Sequence, residues 1–427
     1  MEKPIEFLER LSDFGIKLGL DKTLYLLKKF GNPHLKYPSI LIGGTNGKGS
    51  VAKVLSEILY HSGYKVGLYT SPHLLKINER ICVNNKPISD KKLNFYIKKL
   101  KKIISDLPYH NYPTFFEALT VIGFLYFFEE KVDILVAEVG MGGRFDATNV
   151  LPSFLEIMTP ISLDHTNYLG RTLNEIALQK AGIIKSGSCV ISGRQKKVCE
   201  NIIMEKVREK KAKIYTYLKD FRAKRVYQSV SCQIFNFYGN EKYKGLKTKL
   251  LGRHQIQNIS LAIQASCIIK ENGFRIKDES IYKGVENTYW PARFQILKEN
   301  PIIIVDGAHN PEGIEILKKT ISEVFPGEKF SFLVGIMKDK DWRNMLKKIF
   351  NIADEIIFTR IDSERAIEPE ILADFSKRRK GIKIEIIKRV DEALKEIEKR
   401  KKNLCICGSL YLAGEVLKIF KRERRIL

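Results

Sequence analysis

The chain has 427 residues, 44% hydrophobic and 29% charged, which at roughly 150 residues per domain predicts two or three domains with real cores and excludes a disordered chain. Lys plus Arg outnumber Asp plus Glu 74 to 49, a net charge of +25. That excess suits nucleic acid, an anionic membrane or small polyanions such as nucleotides and polycarboxylates, without choosing among them. Glu2, Glu6 and Glu9 interrupt the apolar residues of Met1–Leu11, which argues against a signal peptide, and no apolar run approaches the ~20 residues that cross a bilayer. Seven scattered cysteines predict reduced thiols in a cytoplasm, with Cys405 and Cys407 as small buried hydrophobes rather than zinc ligands.

In chain order, Pro38–Gly43 predicts a short apolar strand that ends in a glycine-rich turn. An amphipathic helix follows through Val51, Val54, Leu55, Ile58 and Leu59, spaced as one buried stripe. Lys65–Tyr69 reads as a strand, and helices are predicted from Asp90 and over Thr114–Glu129. Asp133–Val139 is apolar on both faces, as a central parallel strand should be. Thr172–Ile184, Lys196–Lys211 and His254–Asn272 read as helices, and Arg222–Leu250 as β structure, a hairpin insertion. A second section starts near Pro291, with strands at Ile302–Val305, Ser331–Val334, Glu355–Phe358, Lys383–Ile387 and Leu404–Cys407 alternating with helices. The fold class is therefore α/β: a P-loop ATPase-type parallel-sheet domain, residues 1–289, followed by a smaller Rossmann-like domain, residues 290–427. The charged runs Lys91–Lys102, Lys206–Lys213, Arg378–Lys402 and Lys421–Arg425 keep apolar residues at helical spacing and read as solvated helix faces.

Gly43-Gly44-Thr45-Asn46-Gly47-Lys48-Gly49-Ser50 lies between the first strand and the first helix. Glycines let successive N–H groups converge on a phosphate at the positive end of the helix, and Lys48 would reach the β- and γ-phosphates. The loop predicts ATP binding through Gly47, Lys48, Gly49 and Ser50, although Gly49 stands between the lysine and the hydroxyl where the usual pattern has them adjacent. Glu138 closes an otherwise apolar strand ahead of Gly140-Met141-Gly142-Gly143, so its carboxylate is expected at the sheet mouth where ligands bind. Lys180 falls on an amphipathic helix, where an exposed, salt-bridged lysine is the ordinary expectation. His34, His61 and His110 read as structural histidines.

The string GTNGKGS resembles the phosphate loop of the folylpolyglutamate synthase and dihydrofolate synthase family, within the Mur-type ATP-dependent amide ligases. The resemblance continues through Thr70-Ser71-Pro72-His73-Leu74, Asn78-Glu79-Arg80-Ile81, Glu138 to Asn149, Leu163-Asp164-His165-Thr166 and Gln179-Lys180-Ala181-Gly182-Ile183-Ile184-Lys185. It resumes at Gly252 to Asn258, Trp290-Pro291-Ala292-Arg293-Phe294 and Asp306-Gly307-Ala308-His309-Asn310, in the family's order. Phe145 departs from the family, which more often has Leu there.

The resemblance implies a ligase that phosphorylates a pterin substrate's carboxylate with ATP, after which the amino group of L-glutamate displaces phosphate. It implies two Mg²⁺ ions, one held by Ser71 and Glu138 and the other by Glu138 and His165, and a carbamylated Lys180 supporting them. It further implies that Asn258 meets adenine, Arg293 the phosphates and Asp306 the ribose or base, with His309 approaching the transferring phosphate. For dihydropteroate and reduced folates it implies Lys17, Leu18, Gly19 and Leu20, then Thr114, Phe115, Phe116 and Glu117, then Arg144, Phe145 and Asp146. Aromatic rings such as Phe115 can stack on a flat heterocycle, and a carboxylate such as Glu117 can accept its N–H donors. The enzyme is expected to be a cytoplasmic monomer without nucleic-acid or membrane partners.

Four other readings compete with this one. A pseudo-enzyme that binds folate without ligating it is disfavoured, because every matched metal and phosphate position is filled. A cell-wall Mur enzyme would need a nucleotide-sugar domain before the phosphate loop, and only 42 residues precede Gly43. A synthase that lengthens folate tails but does not use dihydropteroate is the nearest alternative. A nucleic-acid-dependent ATPase would explain the charge, but not the metal and linker strings.

Overall fold

The computed structural model describes residues 3–423 apart from 16, 18, 378 and 380. Leu18 and the run ends Arg378 and Arg425 thus lie outside the described residues. The chain forms two compact units. One comprises residues up to Lys224 with Phe235–Lys247 and Ile256–Thr288; the other comprises Arg225–Ile234, Thr248–Gln255 and Tyr289 onward.

The first unit is built on an eight-stranded sheet of order β4-β3-β2-β5-β1-β6-β7-β8. Its strands are β1 (Ser39–Gly43), β2 (Val66–Tyr69), β3 (Ile81–Val83), β4 (Lys86–Pro87), β5 (Ile134–Glu138), β6 (Leu155–Met158), β7 (Cys189–Ser192) and β8 (Lys213–Thr216). The neighbours β2-β5-β1-β6-β7-β8 all pair in parallel, while β2 with β3 and β3 with β4 pair antiparallel at one edge. β1 and β5 are buried along their whole length, which is why their sequences are apolar on both faces. The helix Phe115–Glu129 is buried from Glu117 to Phe127. Its apolar residues run all the way round, as a helix enclosed on every side requires. Each Leu, Ile or Phe sealed into this core contributes about 1.5–3 kcal/mol relative to exposure.

The register of β1 against β5 fixes the site. Ile42 lies opposite Glu138, so the carboxylate ending β5 is level with the last residue before the glycine loop. The loop passes into the helix Lys48–His61, whose N-cap is Gly47.

A three-stranded sheet, β9 (Arg222–Gln228), β10 (Gln233–Tyr238) and β11 (Lys242–Thr248), replaces the expected hairpin. Two short turns there make two hairpins in succession, and Phe235 and Phe237 alternate inward.

The second unit contains a six-stranded sheet of order β12-β13-β17-β14-β15-β16. These are β12 (Gln295–Glu299), β13 (Ile302–Val305), β14 (Phe330–Val334), β15 (Ala353–Phe358), β16 (Lys383–Ile386) and β17 (Leu404–Cys407). All pair in parallel except β12, an edge strand antiparallel to β13. The Rossmann-like rhythm expected of this section is therefore present, with one polar edge strand added. Cys405 and Cys407 are buried free thiols in its core. No helix among the described residues is long and apolar enough to cross a membrane.

Candidate active site

The phosphate loop is held open by its glycines. Gly44 has φ +126°, and a Cβ there would lie 2.7 Å from the Thr159 carbonyl oxygen. Gly47 has φ +93°, and a Cβ would lie 2.5 Å from Asn258 Oδ1. Side chains at either position would be strained and would collide. Asn258 therefore touches the loop directly, although 211 positions separate it from Gly47. Thr45 anchors the loop sideways: its N–H donates to Pro160 O (3.0 Å), and its hydroxyl donates to Ser162 O (3.1 Å) and accepts from Ser162 N–H (3.0 Å). The segment leading to His165 is thereby tied to the loop. His165 itself adopts a left-handed conformation, φ 51°, at the start of the short helix Thr166–Leu169.

Lys48 folds back over the loop, donating to Thr45 O at 3.1 Å, with its ammonium 3.9 Å from Glu138 Oε1. The other carboxylate oxygen, Oε2, accepts the Ser71 N–H at 3.0 Å. Lys48, Ser71 and Glu138 thus converge at the carboxyl ends of β1, β2 and β5, the position where parallel sheets bind ligands. Ser50 Oγ is buried without a hydrogen-bond partner among the described residues, an unsatisfied group that a bound ligand would complete.

Lys180 departs from the expected exposed face. It is only 4% exposed, and its ammonium donates to Gly44 O at 2.7 Å. Its helix, Leu173–Ala181, begins with a Thr172–Glu175 capping box and delivers the lysine under the phosphate loop.

The residues expected around a pterin are already engaged. Thr114 and Glu117 form the capping box of the helix Phe115–Glu129, Glu117 Oε2 accepting from Thr114 N–H (2.7 Å) and Oγ1 (2.9 Å). The Arg80 guanidinium covers the Phe115 ring at 5.3 Å. Phe116 lies 6.1 Å from the Tyr69 ring, and a Cβ on Gly140 would sit 2.4 Å from Phe116 Cζ. Arg144 lies over Phe145 at 5.0 Å. Asp146 accepts from Met141 N–H (2.8 Å), Thr148 N–H (3.0 Å) and Thr148 Oγ1 (2.6 Å). Burial pushes its pKa upward against these bonds. Lys17 sits 5.4 Å over Phe14, Gly19 follows, and Leu20 caps the helix Asp21–Lys29.

Three basic residues escaped the sequence reading. Arg80 is buried, its Nε donating to His73 Nδ1 at 2.9 Å. Lys22 donates to Tyr112 O at 2.7 Å, and burial, then Lys17, lower its pKa. Lys185 donates to Asn149 O and Oδ1, both at 2.7 Å. Arg80 and Lys185 lie inside motifs that carry the family resemblance, but spacing gives no sign of their partners.

In the second unit, Asp306 follows β13 and accepts Phe294 N–H at 2.7 Å and Ala308 N–H at 2.8 Å. Burial raises its pKa and Arg293 opposes the rise. Ala292 and Phe294, on either side of Arg293, have φ of 56° and 47°, a strained turn of the kind found around functional groups. His309 Nδ1 lies 2.8 Å from Gly307 O. Asn310 caps the helix Pro311–Val324 by accepting Gly313 N–H at 2.8 Å. Asp306 and Arg293 are thus brought together within this unit.

The fold and the phosphate loop define an ATP-dependent ligase of the Mur type. The Mur ligase middle domain matches residues 42–266, and the Mur ligase glutamate ligase domain matches 292–410. The dihydrofolate synthase/folylpolyglutamate synthase of Bacillus subtilis is 36% identical, over 96% of each chain. The Mycobacterium tuberculosis folylpolyglutamate synthase complexed with ADP and AMPPCP superposes with a TM-score of 0.91 at 28% identity, covering 98% of each chain. Escherichia coli FolC in complex with DHPP and ADP gives a TM-score of 0.87 at 25% identity, covering 99% of each. The chain belongs to the dihydrofolate synthase/folylpolyglutamate synthase family of Mur ligases, and ATP is its co-substrate.

Proposed function

We propose that the chain joins L-glutamate to dihydropteroate and also to the γ-glutamyl tail of tetrahydrofolate, through an acyl phosphate made with ATP. The observation that carries this reading is the meeting of Lys48, Ser71 and Glu138 at the mouth of the sheet, a cation and a carboxylate 3.9 Å apart beside the phosphate loop. Relatives of this chain carry both activities in their names, and the E. coli relative is solved with DHPP and ADP.

The obstacle in such a ligation is bringing an anionic carboxylate to an anionic γ-phosphate. Lys48 supplies a fixed cation against the transferring phosphate, and the loop N–H groups orient it. Displacement then goes through a tetrahedral carbon: the glutamate nitrogen adds to the acyl carbon, phosphate leaves with the C–O electron pair, and the nitrogen loses a proton.

Divalent ions fit the oxygen donors here. Glu138 is a buried carboxylate, Ser50 presents an unsatisfied hydroxyl and Ser71 stands against Glu138, all hard ligands of the kind Mg²⁺ prefers. In this proposal Ser71, Glu138 and His165 hold two Mg²⁺ ions, which when bound neutralise phosphate charge. Gly47, Lys48, Gly49, Ser50, Asn258, Arg293 and Asp306 are assigned to ATP, and His309 to the transferring phosphate. Carbamylated Lys180 supports the metal site. Lys17, Leu18, Gly19, Leu20, Thr114, Phe115, Phe116, Glu117, Arg144, Phe145 and Asp146 are assigned to the pterin acid, with Thr114, Glu117 and Asp146 also fixing local backbone. The same reading makes residues 1–289 the ATP-binding domain and 290–427 the glutamate ligase domain of a cytoplasmic monomer.

The test is ADP release and labelled glutamate incorporation with ATP and Mg²⁺, in parallel arms containing dihydropteroate, tetrahydrofolate, DNA or RNA. Incorporation with both pterin acids is expected. Incorporation with tetrahydrofolate alone would reduce the function to tail extension, and stimulation by nucleic acid alone would overturn it.

A further inference from the structure

The loop Gly140 to Asn149 lies flush on the carboxyl end of the helix that carries Lys180. Arg144 N–H donates to Gln179 O at 2.8 Å. A Cβ on Gly143 would lie 2.7 Å from Gln179 O, and one on Gly182 would lie 2.5 Å from Arg144 Cβ, so neither surface leaves room for a side chain. Asn149 closes the joint. Its Nδ2 donates to Arg144 O at 3.0 Å, on the loop, and to Gly182 O at 3.2 Å, just after the helix. Lys185 then secures Asn149 from below, donating to both of its oxygens at 2.7 Å.

We propose that Lys185 and Asn149 are positioning residues for the acyl substrate: they lock the Arg144-Phe145-Asp146 loop to the Lys180 helix and so set its separation from the phosphate loop. The proposal rests on the assignment of that loop to the pterin acid. Its physical basis is that the loop is internally rigid and externally fastened. Asp146 ties Met141 and Thr148 together from inside, so the loop keeps its shape when the outer fastening goes. What changes is where it sits relative to the helix. The helix reaches the ATP loop through Lys180 and Gly44, whereas Thr45 anchors that loop independently at Pro160 and Ser162. Loss of the Lys185 clamp should therefore be felt by the acyl substrate and not by the nucleotide.

Initial rates of ADP release, with dihydropteroate varied at saturating ATP and glutamate, are compared among the full-length wild type, Lys185→Met, Lys185→Arg and Asn149→Asp. ADP affinity is measured in parallel by calorimetry. Lys185→Met is expected to raise the KM for dihydropteroate tenfold or more while the Kd for ADP stays within twofold. Lys185→Arg, which keeps a donor, should return to within threefold of wild type. Asn149→Asp keeps both acceptors for Lys185 but loses the bonds to Arg144 and Gly182, and should match Lys185→Met; it decides the matter if Lys185→Met does not fold. An unchanged dihydropteroate KM in either folded variant, or an ADP Kd rising in step with it, overturns the proposal. A wild type that releases no ADP with dihydropteroate or tetrahydrofolate overturns the assigned function, and this proposal with it.

Discussion

The Lys180 ammonium donates to the Gly44 carbonyl at 2.7 Å, so a buried lysine holds the backbone of the phosphate loop itself. Removing it in Lys180→Met deprives that carbonyl of a charged donor in a buried place, a loss of about 1–3 kcal/mol. Turnover is expected to fall at least ~100-fold, as for other groups acting at a developing charge. Carbamylation is compatible with the contact, because the modified Nζ keeps one N–H for Gly44 while presenting a carboxylate. Crystal density, or native mass in bicarbonate buffer, should show the added group. A fully active enzyme with a bare ammonium would refute the modification.

Glu138 faces two donors of different kinds, the Ser71 N–H and the Lys48 ammonium. Glu138→Gln has nearly the same shape but only one oxygen, so one contact becomes donor against donor. The variant is expected to fold, to lose roughly 10²–10³ in kcat, and to need more Mg²⁺ for half-maximal rate. An unchanged Mg²⁺ titration would count against the assignment of Glu138 to the metal.

Gly47 and Gly63 offer a matched pair. Both have φ near +90°, at +93° and +92°, but a Cβ at Gly47 would meet Asn258 at 2.5 Å whereas no described residue lies within 4 Å of one at Gly63. Both alanine variants carry the left-handed strain of about 1–2 kcal/mol. Gly47→Ala alone should weaken ADP binding, by tenfold or more in calorimetry, while both lower the melting temperature. Equal ADP affinities for the two variants would mean that the loop tolerates a side chain.

Much of this arrangement was legible in the chain. The runs SILIG and ILVAE are apolar on both faces because they become the buried strands β1 and β5, and the glycine string between strand and helix announced its purpose. The short edge strands β3 and β4 were not legible, since three and two residues carry too little periodicity, and β12 is too polar to stand out. Lys180 misled for a different reason. Its helix has ordinary spacing, and that spacing gives no sign of the bond to Gly44, 136 positions away, that the buried lysine makes. Glu117 shows the reverse case: Thr114-Phe115-Phe116-Glu117 is a capping-box pattern, and the structure uses it as one.

Glu355 in the second unit permits a prediction about acid. Its buried carboxylate takes Lys383 at 2.8 Å and Arg400 at 2.7 Å on Oε1, and Lys402 at 3.1 Å and Ser331 at 3.0 Å on Oε2. Burial alone would raise its pKa, but hydrogen bonds from Lys383, Lys402 and Ser331 outweigh it and hold the group at about 2, against 4.5 for a free glutamate. A folded-state pKa below the unfolded one stabilises above the unfolded value. The contribution, on the order of 3 kcal/mol, is complete above pH ~4.5 and fades as pH falls towards ~2. Glu355→Gln should therefore be less stable than wild type at pH 7 by about that amount, since it leaves three cations around a neutral amide. Denaturant titrations at pH 7, 4 and 3 should show the gap narrowing with each step; a gap that stays constant would mean the carboxylate's charge does not hold this cluster together.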